Sequence, residues 1–187
     1  MIYLTSDTHF CHNRQFLYEP RGFSSIDEMN QEVVRIWNEV VSPEDEVYHL
    51  GDIMLNDNEE GARLLGQLNG QIHIILGNHD TDTRIEIYRA SSNVVEVCYG
   101  RPLHYNGYHF FLSHYPTITS NFDYDKPLKA RTLNLCGHSH TKDPFVDWDK
   151  GLIYHVELDA HNNSPISIDY VINDIKIHYT NDPRVKN

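Results

Sequence analysis

The sequence predicts an α/β protein built as a mixed-sheet sandwich with helices on the outside. Three observations support this fold class. Short apolar runs rich in β-branched and aromatic residues recur along the chain, as in buried strands. Amphipathic helical patterns separate the first of these runs. Strand-like runs dominate later in the chain, which is typical of a sandwich rather than of a helical bundle.

Seven runs have the length and composition of strands. They cover residues 1–5, 47–50, 72–76, 94–99, 108–112, 133–136 and 153–158. The dipeptide Asn106-Gly107 lies between residues 103–105 and the aromatic run that follows them. It predicts a β-hairpin, because this dipeptide favours the two-residue turns that join hairpin strands.

Four segments have helical patterns. In the first, Ser25 and Glu28 form a capping-box pattern, and Pro43 stops the amphipathic repeat that follows. The apolar positions of that repeat are Met29, Val33, Ile36, Trp37 and Val40. A second helix is predicted over residues 59–68, ended by Asn69-Gly70, and a third begins near Thr83. The fourth lies around residues 168–175, where helical spacing outweighs the β-branched content.

Length and composition indicate one globular domain over residues 1–187. The chain is 40% hydrophobic and 22% charged, without repeats, linkers or low-complexity tracts. Cys11, Cys98 and Cys136 are odd in number and widely spaced, so we expect free thiols rather than disulfides or a thiolate zinc site. The apolar start is too short for a signal peptide or a membrane span, which predicts a cytoplasmic location and no membrane partner.

The formal net charge of −12 argues against long nucleic acid as a partner. Nucleic-acid binding relies on Lys and Arg clustered on one face, and the 15 such residues of this chain are scattered. Bound divalent metals would cancel part of the negative charge locally. The sequence leaves the oligomeric state open.

Thirteen histidines are the compositional oddity of this chain. Five of them lie inside strand-like runs and are expected to be structural, namely His49, His73, His109, His155 and His178. His161, in the string Asp159-Ala160-His161-Asn162, has no evident partner and is expected at the surface or in a loop.

Polar clusters directly follow the predicted strands, at the point where each strand ends. They are Asp7-Thr8-His9, Gly51-Asp52, Gly77-Asn78-His79-Asp80, Ser113-His114 and Gly137-His138-Ser139-His140. Because ligands gather at the carboxyl ends of strands in α/β sheets, we expect the five tips to converge on one site. Carboxylate and amide oxygens with imidazole nitrogens are suitable ligands for a pair of divalent cations.

The spacing within the first clusters indicates separate roles. Asp7 and His9 are two residues apart, so in an extended tip both side chains lean to one side and can bind one ion. A carboxylate can bridge two ions, and Asp52 suits that role. Asn78 and His79 are adjacent and should diverge, which lets Asn78 bind metal while His79 faces the substrate.

The last clusters complete the set of candidate ligands. His138 and His140 are again two residues apart, and each can serve a different ion if the two ions lie roughly 4 Å apart. His114 supplies a further imidazole. The sequence thus offers a chemically coherent ligand set for two metals.

In this order, the clusters resemble the signature of the calcineurin-like metallophosphoesterases over residues 1–140. The resemblance implies a four-layer α/β/β/α sandwich of two mixed β-sheets flanked by helices, with a dimetal site at one edge. It places one metal on Asp7, His9, Asp52 and His140, and the other on Asp52, Asn78, His114 and His138. It also makes His79 the outer-sphere acid.

The implied reaction is hydrolysis of a small phosphoester by a metal-bridging hydroxide. A bound metal can lower the pKa of water from about 15.7 to about 7, and His79 would protonate or polarise the leaving oxygen. Asp80 is expected to orient His79, with a helix cap before Thr83 as the alternative. Mn²⁺ is the expected metal, and Fe, Zn, Ni or Co are alternatives at such a site.

Substrate contacts are expected from residues 10–24, which follow the first cluster. His12, Arg14 and Arg21 are candidates there, together with Tyr115, although a solvated arginine or a packed aromatic would explain them as well. Only residues 141–187 follow the last cluster, which predicts a fairly open site for a small phosphomonoester or phosphodiester. A non-catalytic metal-binding scaffold or a nuclease are the alternatives, and no H-x-H-x-D-H string of the metallo-β-lactamase type occurs in the sequence.

Overall fold

The computed structural model describes residues 1–119 and 126–182. The predicted domain over residues 1–187 therefore includes two segments, 120–125 and 183–187, that lie outside the described residues. The strands are β1 (Ile2–Thr5), β2 (Glu46–His49), β3 (Gln71–Ile75), β4 (Val94–Cys98), β5 (Arg101–Tyr105), β6 (Tyr108–Leu112), β7 (Thr132–Cys136), β8 (Ile153–His155) and β9 (Ile166–Ser167). The α-helices are α1 (Gln15–Tyr18), α2 (Ile26–Val40), α3 (Asn58–Leu65), α4 (Asp82–Ala90), α5 (Trp148–Gly151) and α6 (Ile168–Asn181).

The strands form two mixed sheets. The first has the order β4-β3-β2-β1-β9, in which β1 to β4 are parallel and β9 is antiparallel to β1. The second has the order β5-β6-β7-β8, in which β6, β7 and β8 are parallel and β5 is antiparallel to β6. The predicted α/β sandwich of two mixed sheets is confirmed.

Two hydrophobic clusters hold the layers together. In the first, Val47 and Ile72 from one face of the five-stranded sheet pack with helical side chains that include Trp37 of α2. In the second, Tyr48 from the opposite face packs with residues of the four-stranded sheet, such as Leu135, and with α6. The alternation of neighbouring residues between the two clusters is the period-two pattern of strands buried on both faces.

The predicted strands all form, with small changes at their ends. Only the run over residues 153–158 forms a clearly shorter strand than predicted. This strand ends at His155, and a 3-10 turn, Leu158–Ala160, follows it. Asn106 and Gly107 have φ values of 49° and 78°, so the predicted hairpin turn connects β5 and β6. The two-residue strand β9 was not predicted, because a strand of that length has no detectable periodicity.

The predicted helices form as α2, α3, α4 and α6. The Ser25 hydroxyl accepts the Glu28 N–H at 3.1 Å, while the Glu28 carboxylate accepts the N–H of Ser24 rather than that of Ser25. Helix α3 ends at Leu65, before the Asn69-Gly70 turn. In the part of the chain that the structure describes, no helix combines the length and apolar character that crossing a bilayer requires.

His155 and His161 lie in a buried region behind the strand tips. His161 lies in a turn, as the loop alternative predicted, but the surface alternative is wrong, since only 8% of it is exposed and its Nε2–H donates to the carbonyl oxygen of His155 at 2.9 Å. His155 is fully buried between Asp147 and Glu157, at 3.0 and 3.1 Å from their carboxylate oxygens. Burial alone would lower the pKa of His155, but the two carboxylates raise it above 6.5.

We expect His155→Gln to destabilise the fold in a pH-dependent way. Because the folded-state pKa is raised, protonated His155 contributes stability that is complete below about pH 6.5 and is lost as the pH rises through the folded-state value. Urea unfolding of the metal-free protein should show a deficit of about 3 kcal/mol at acidic pH that shrinks above neutrality. His104→Gln, on the exposed face of β5, is the matched control. A deficit that grows with pH would contradict this assignment.

Candidate metal centre

The five polar clusters meet at one edge of the sandwich. Each follows the carboxyl end of a strand, three in the five-stranded sheet (β1, β2, β3) and two in the four-stranded sheet (β6, β7). Parallel neighbours end on the same side, so the loops after them lie together. Backbone hydrogen bonds also join the loops to one another, as between the Gly137 N–H and the His114 carbonyl oxygen at 3.0 Å.

The backbone is left-handed at most of the proposed ligands. The φ values are 59° at Asp7, 50° at His9, 59° at Asp52, 76° at His138 and 50° at His140. The expected extended tip after β1 is therefore wrong, although Asp7 and His9 do converge. A left-handed conformation is costly for non-glycine residues, and such residues cluster at functional sites where the surrounding structure enforces them.

One group of ligand atoms converges around Asp7. Its Oδ1 lies 3.5 Å from His9 Nε2 and 3.8 Å from His140 Nε2, and these two nitrogens are 3.1 Å apart. Asp52 Oδ2 lies 3.7 Å from His9 Nε2. These are the four residues that the resemblance assigns to one metal.

A second group converges around Asn78. Its Oδ1 lies 3.0 Å from His114 Nε2 and 2.9 Å from His138 Nδ1, and these two nitrogens are 3.2 Å apart. Asp52 Oδ2 lies 3.5 Å from His114 Nε2. The same Asp52 oxygen therefore faces both groups, which is one of the ways in which a carboxylate can bridge two ions.

The atoms in these groups are arranged to bind cations rather than to form hydrogen bonds with one another. His114 Nδ1 lies 2.7 Å from the Leu50 carbonyl oxygen and donates to it, so in the neutral ring Nε2 is an acceptor that faces the acceptor oxygens of Asn78 and Asp52. Asp7 Oδ1 is buried and has no hydrogen-bond partner among the described residues. Atoms that bind one ion at about 2.0–2.2 Å lie roughly 3.0–3.5 Å apart, close to the spacings found here. Two overlapping sets could hold a metal ion, Asp7 with His9 and His140, and Asp7 with Asp52 and His114.

The carboxylates of Asp7 and Asp52 are each oriented by a backbone N–H group from a neighbouring loop. Asp7 Oδ2 accepts the His138 N–H at 2.9 Å, and Asp52 Oδ1 accepts the His79 N–H at 2.9 Å. In each case the other oxygen is left to face the centre. Burial alone would raise the pKa of Asp7, but its contacts with His9 and the charges of nearby histidines hold that pKa well below its usual range. Burial raises the pKa of Asp52.

Two positions in the clusters require glycine, because side-chain atoms from other loops lie very close to their Cα atoms. A Cβ on Gly77 would overlap the Asp52 carboxylate, and a Cβ on Gly137 would overlap Ser6 Oγ and Asp7 Oδ2. Any side chain at either position would displace a carboxylate from the centre. The glycines that precede the ligands in the sequence motifs thus make space for ligands on other loops.

Asp80 has neither of the roles expected for it. Its Oδ2 accepts the N–H groups of Asp52 and Gly77 at 2.9 and 2.8 Å, and its Oδ1 accepts the Tyr88 hydroxyl at 2.6 Å. Helix α4 begins after Thr81, not after Asp80. Asp80 therefore ties the loop after β2 to the loop after β3 and positions Asp52 rather than His79.

Arg21 is directed away from the role of a phosphate ligand. Its side chain is 1% exposed, its Nη2 lies 2.6 Å from Asp159 Oδ2, and the same nitrogen donates to the Asp7 carbonyl oxygen at 2.8 Å. Asp159 Oδ2 also lies 3.0 Å from His140 Nδ1. Burial alone would raise the pKa of Asp159, but His140 and Arg21 hold it well below its usual range. Asp159 was missed from the sequence, because nothing in its neighbourhood marks it as a partner of His140.

We expect Asp159→Asn to weaken metal binding. Asp159 accepts the proton on His140 Nδ1, which leaves His140 Nε2 as the free ligand atom, and loss of such an orienting carboxylate costs about 10- to 100-fold in metal affinity or activity. Titration calorimetry with Mn²⁺ measures the effect. Asp143→Asn, in an exposed part of the loop after His140, is the matched control. Equal Mn²⁺ affinity of Asp159→Asn and the parent protein would contradict this role.

The remaining substrate candidates lie on different sides of the centre. His12 lines a cavity together with His9, His79 and His140, whereas Arg14 lines an adjoining surface groove. Burial, followed by the charge of His9, lowers the pKa of His12 to about 4.

Tyr115 is half exposed, and its ring centroid lies 4.7 Å from that of His138, on the side of the second ligand group. His79 Nε2 lies 3.9 Å from Asp52 Oδ2. His79 therefore stands at the edge of the centre and is 41% exposed.

Comparisons with known proteins identify the family to which this chain belongs. An uncharacterized protein of Methanocaldococcus jannaschii, MJ1445, is 34% identical over 177 residues, which cover 91% of this chain and 89% of that protein. The crystal structure of a protein of unknown function from Aquifex aeolicus, AQ665, shares the fold, with a TM-score of 0.70 at 24% identity over 92% of this chain and 98% of that one. A solved archaeal phosphodiesterase superposes with a TM-score of 0.49 at 18% identity, covering 86% of both chains. A family model described as the calcineurin-like phosphoesterase superfamily domain matches residues 1–156, and the chain therefore belongs to that superfamily.

Proposed function

We propose that the protein is a dinuclear-metal-dependent phosphodiesterase acting on a small substrate. The observation that carries the proposal is the position of Asp52 Oδ2, which lies between two groups of ligand atoms at 3.7 Å from His9 Nε2 and 3.5 Å from His114 Nε2. The first metal would be held by Asp7, His9, Asp52 and His140, and the second by Asp52, Asn78, His114 and His138. Bound divalent cations supply Lewis acidity that activates water and neutralises charge on a phosphoryl group.

His79 is the residue of this chain that acts on the leaving group. Its backbone N–H is fixed by Asp52, and its carbonyl oxygen accepts a hydrogen bond from Arg84, so the loop that carries it is held on both sides. Its ring remains 41% exposed and lines the cavity beside the ligand groups. From there Nε2–H can donate a proton to the oxygen that leaves phosphorus.

A diester suits the site better than a monoester. A monoester dianion is normally gripped by several additional cationic side chains, whereas Lys142 is the one lysine or arginine among the described residues that line the cavity beside His79. Arg21 is bound to Asp159, and Arg14 lines an adjoining groove that shares Phe16 with the cavity but does not contain His79. A diester carries one charge fewer and depends less on such groups.

The proposal is tested with protein loaded with Mn²⁺ and two chromogenic substrates. We expect hydrolysis of bis(p-nitrophenyl) phosphate with a kcat/KM at least about tenfold above that for p-nitrophenyl phosphate. Preference for the monoester would reverse the substrate assignment. A preparation with two Mn²⁺ per chain that hydrolyses neither compound nor any other phosphoester of a broad panel would instead indicate a non-catalytic scaffold.

A further inference from the structure

A cavity of about 580 Å³ opens on the side of the centre where the first ligand group lies. Its inner end is formed by His9 and His140, from the first ligand group, and by His79. Asn78, His114 and His138, from the second group, do not line it. The volume lies within the roughly 300–1,000 Å³ of small-molecule sites, so one substituent of a small substrate fits inside it.

The outer wall of the cavity is largely apolar and comes from the segment after the first cluster. It consists of His12, Phe16, Leu17 and Pro20, with Lys142 and Asp159 as its polar members. Phe16 lies on α1 and is 73% exposed, which is unusual for a phenylalanine. Its ring meets His12 edge to face, with centroids 5.8 Å apart and an interplanar angle of 88°. Together the two rings form an aromatic corner.

The location of His79 determines which arm of a diester enters this cavity. A proton donor to the leaving oxygen must be close to that oxygen, and His79 lines the cavity. The group attached to the leaving oxygen therefore extends along the wall that carries Phe16. The other substituent on phosphorus then extends toward the half-exposed Tyr115, beside the second ligand group.

Resting on the proposed function, we infer that the cavity binds a leaving group that carries a planar ring, with Phe16 as the main contact. An exposed aromatic face beside apolar side chains binds another ring by offset or edge-to-face packing, a geometry worth more than the buried area alone. A small leaving group without a ring would leave the exposed face of Phe16 without an aromatic partner.

Non-hydrolysable phosphonates test the inference without requiring turnover. Titration calorimetry on the Mn²⁺-loaded protein compares phenylphosphonate with methylphosphonate, which present the same anionic group with and without a ring. We expect a dissociation constant about tenfold lower for phenylphosphonate, equivalent to about 1.4 kcal/mol. Phe16→Ala should remove this difference, because only the binding of phenylphosphonate should become weaker. Phe16→Tyr should retain the difference.

Tyr99→Ala is the matched control, because Tyr99 is also a highly exposed aromatic residue (79%) but does not line the cavity. The inference would be overturned if the parent protein bound the two phosphonates with equal affinity, or if Phe16→Ala lowered the affinity for both by the same factor. Hydrolysis of diesters without ring discrimination would refute the ring pocket and leave the proposed function. Ring discrimination without hydrolysis of any phosphoester would refute the proposed function and leave the pocket.

Discussion

Asp52→Asn is expected to reduce diester hydrolysis by more than about 10²-fold and to lower the metal content below two ions per chain. Loss of a residue that merely orients a ligand already costs about 10- to 100-fold, and Asp52 is placed to be a ligand of both ions. The substitution is nearly isosteric. The amide oxygen of the variant can still accept the His79 N–H, but the amide nitrogen would replace the oxygen that faces His9 and His114.

Asp57→Asn is the matched control for this change. Asp57 caps α3 by accepting the Glu59 and Glu60 N–H groups, and asparagine caps helices about as well. Metal content by plasma emission spectrometry and kcat/KM for bis(p-nitrophenyl) phosphate should be altered in Asp52→Asn only. Two tightly bound ions with normal hydrolysis in Asp52→Asn would show that the carboxylate does not bridge.

His79→Ala is expected to lower kcat by about 10²- to 10⁴-fold while the protein keeps both metals. His79 Nε2 is 3.9 Å from Asp52 Oδ2 and its ring is 41% exposed, so its loss removes a proton donor without removing a proposed ligand. The loss should be smaller for p-nitrophenolate, a good leaving group that needs little protonation, than for an alkoxide. Rates for paired aryl and alkyl diesters measure this difference.

The control for His79→Ala is His104→Ala, which removes an exposed histidine from β5. It should leave rates and metal content unchanged. If His79→Ala slowed the aryl and alkyl diesters equally, His79 would not donate the proton to the leaving oxygen. If it lost metal, it would belong to the ligand set.

The fold was predictable where local pattern and burial agree. The run that became β6 was located to the residue, because aromatic and apolar residues dominate there and Asn106-Gly107 fixes the turn before it. Helices α1 and α5 have four residues each, too few for a helical period, and they were not predicted. The position of α1 depends on tertiary contacts, including the burial of Leu17 and Tyr18.

The candidate centre was predictable in residue type but not in its supporting contacts. Motifs at strand ends named side chains that converge in the structure, because a metal pair would require particular residue types at the sheet edge. The left-handed backbone at Asp7 and His9 leaves no mark in a sequence of non-glycine residues. The contact of Arg21 with Asp159 joins residues 138 positions apart, which no local pattern reveals. For the same reason, the sequence left Arg21 as a candidate phosphate ligand or a solvated arginine and did not show its buried ion pair.

Anomalous diffraction from crystals grown with Mn²⁺ tests the central claim most directly. We expect two manganese peaks roughly 4 Å apart, as in other two-metal sites. One should lie among Asp7, His9 and His140, the other among Asn78, His114 and His138, with Asp52 Oδ2 in contact with both. A single peak, or two peaks of which only one contacts Asp52, would contradict the bridged dinuclear centre.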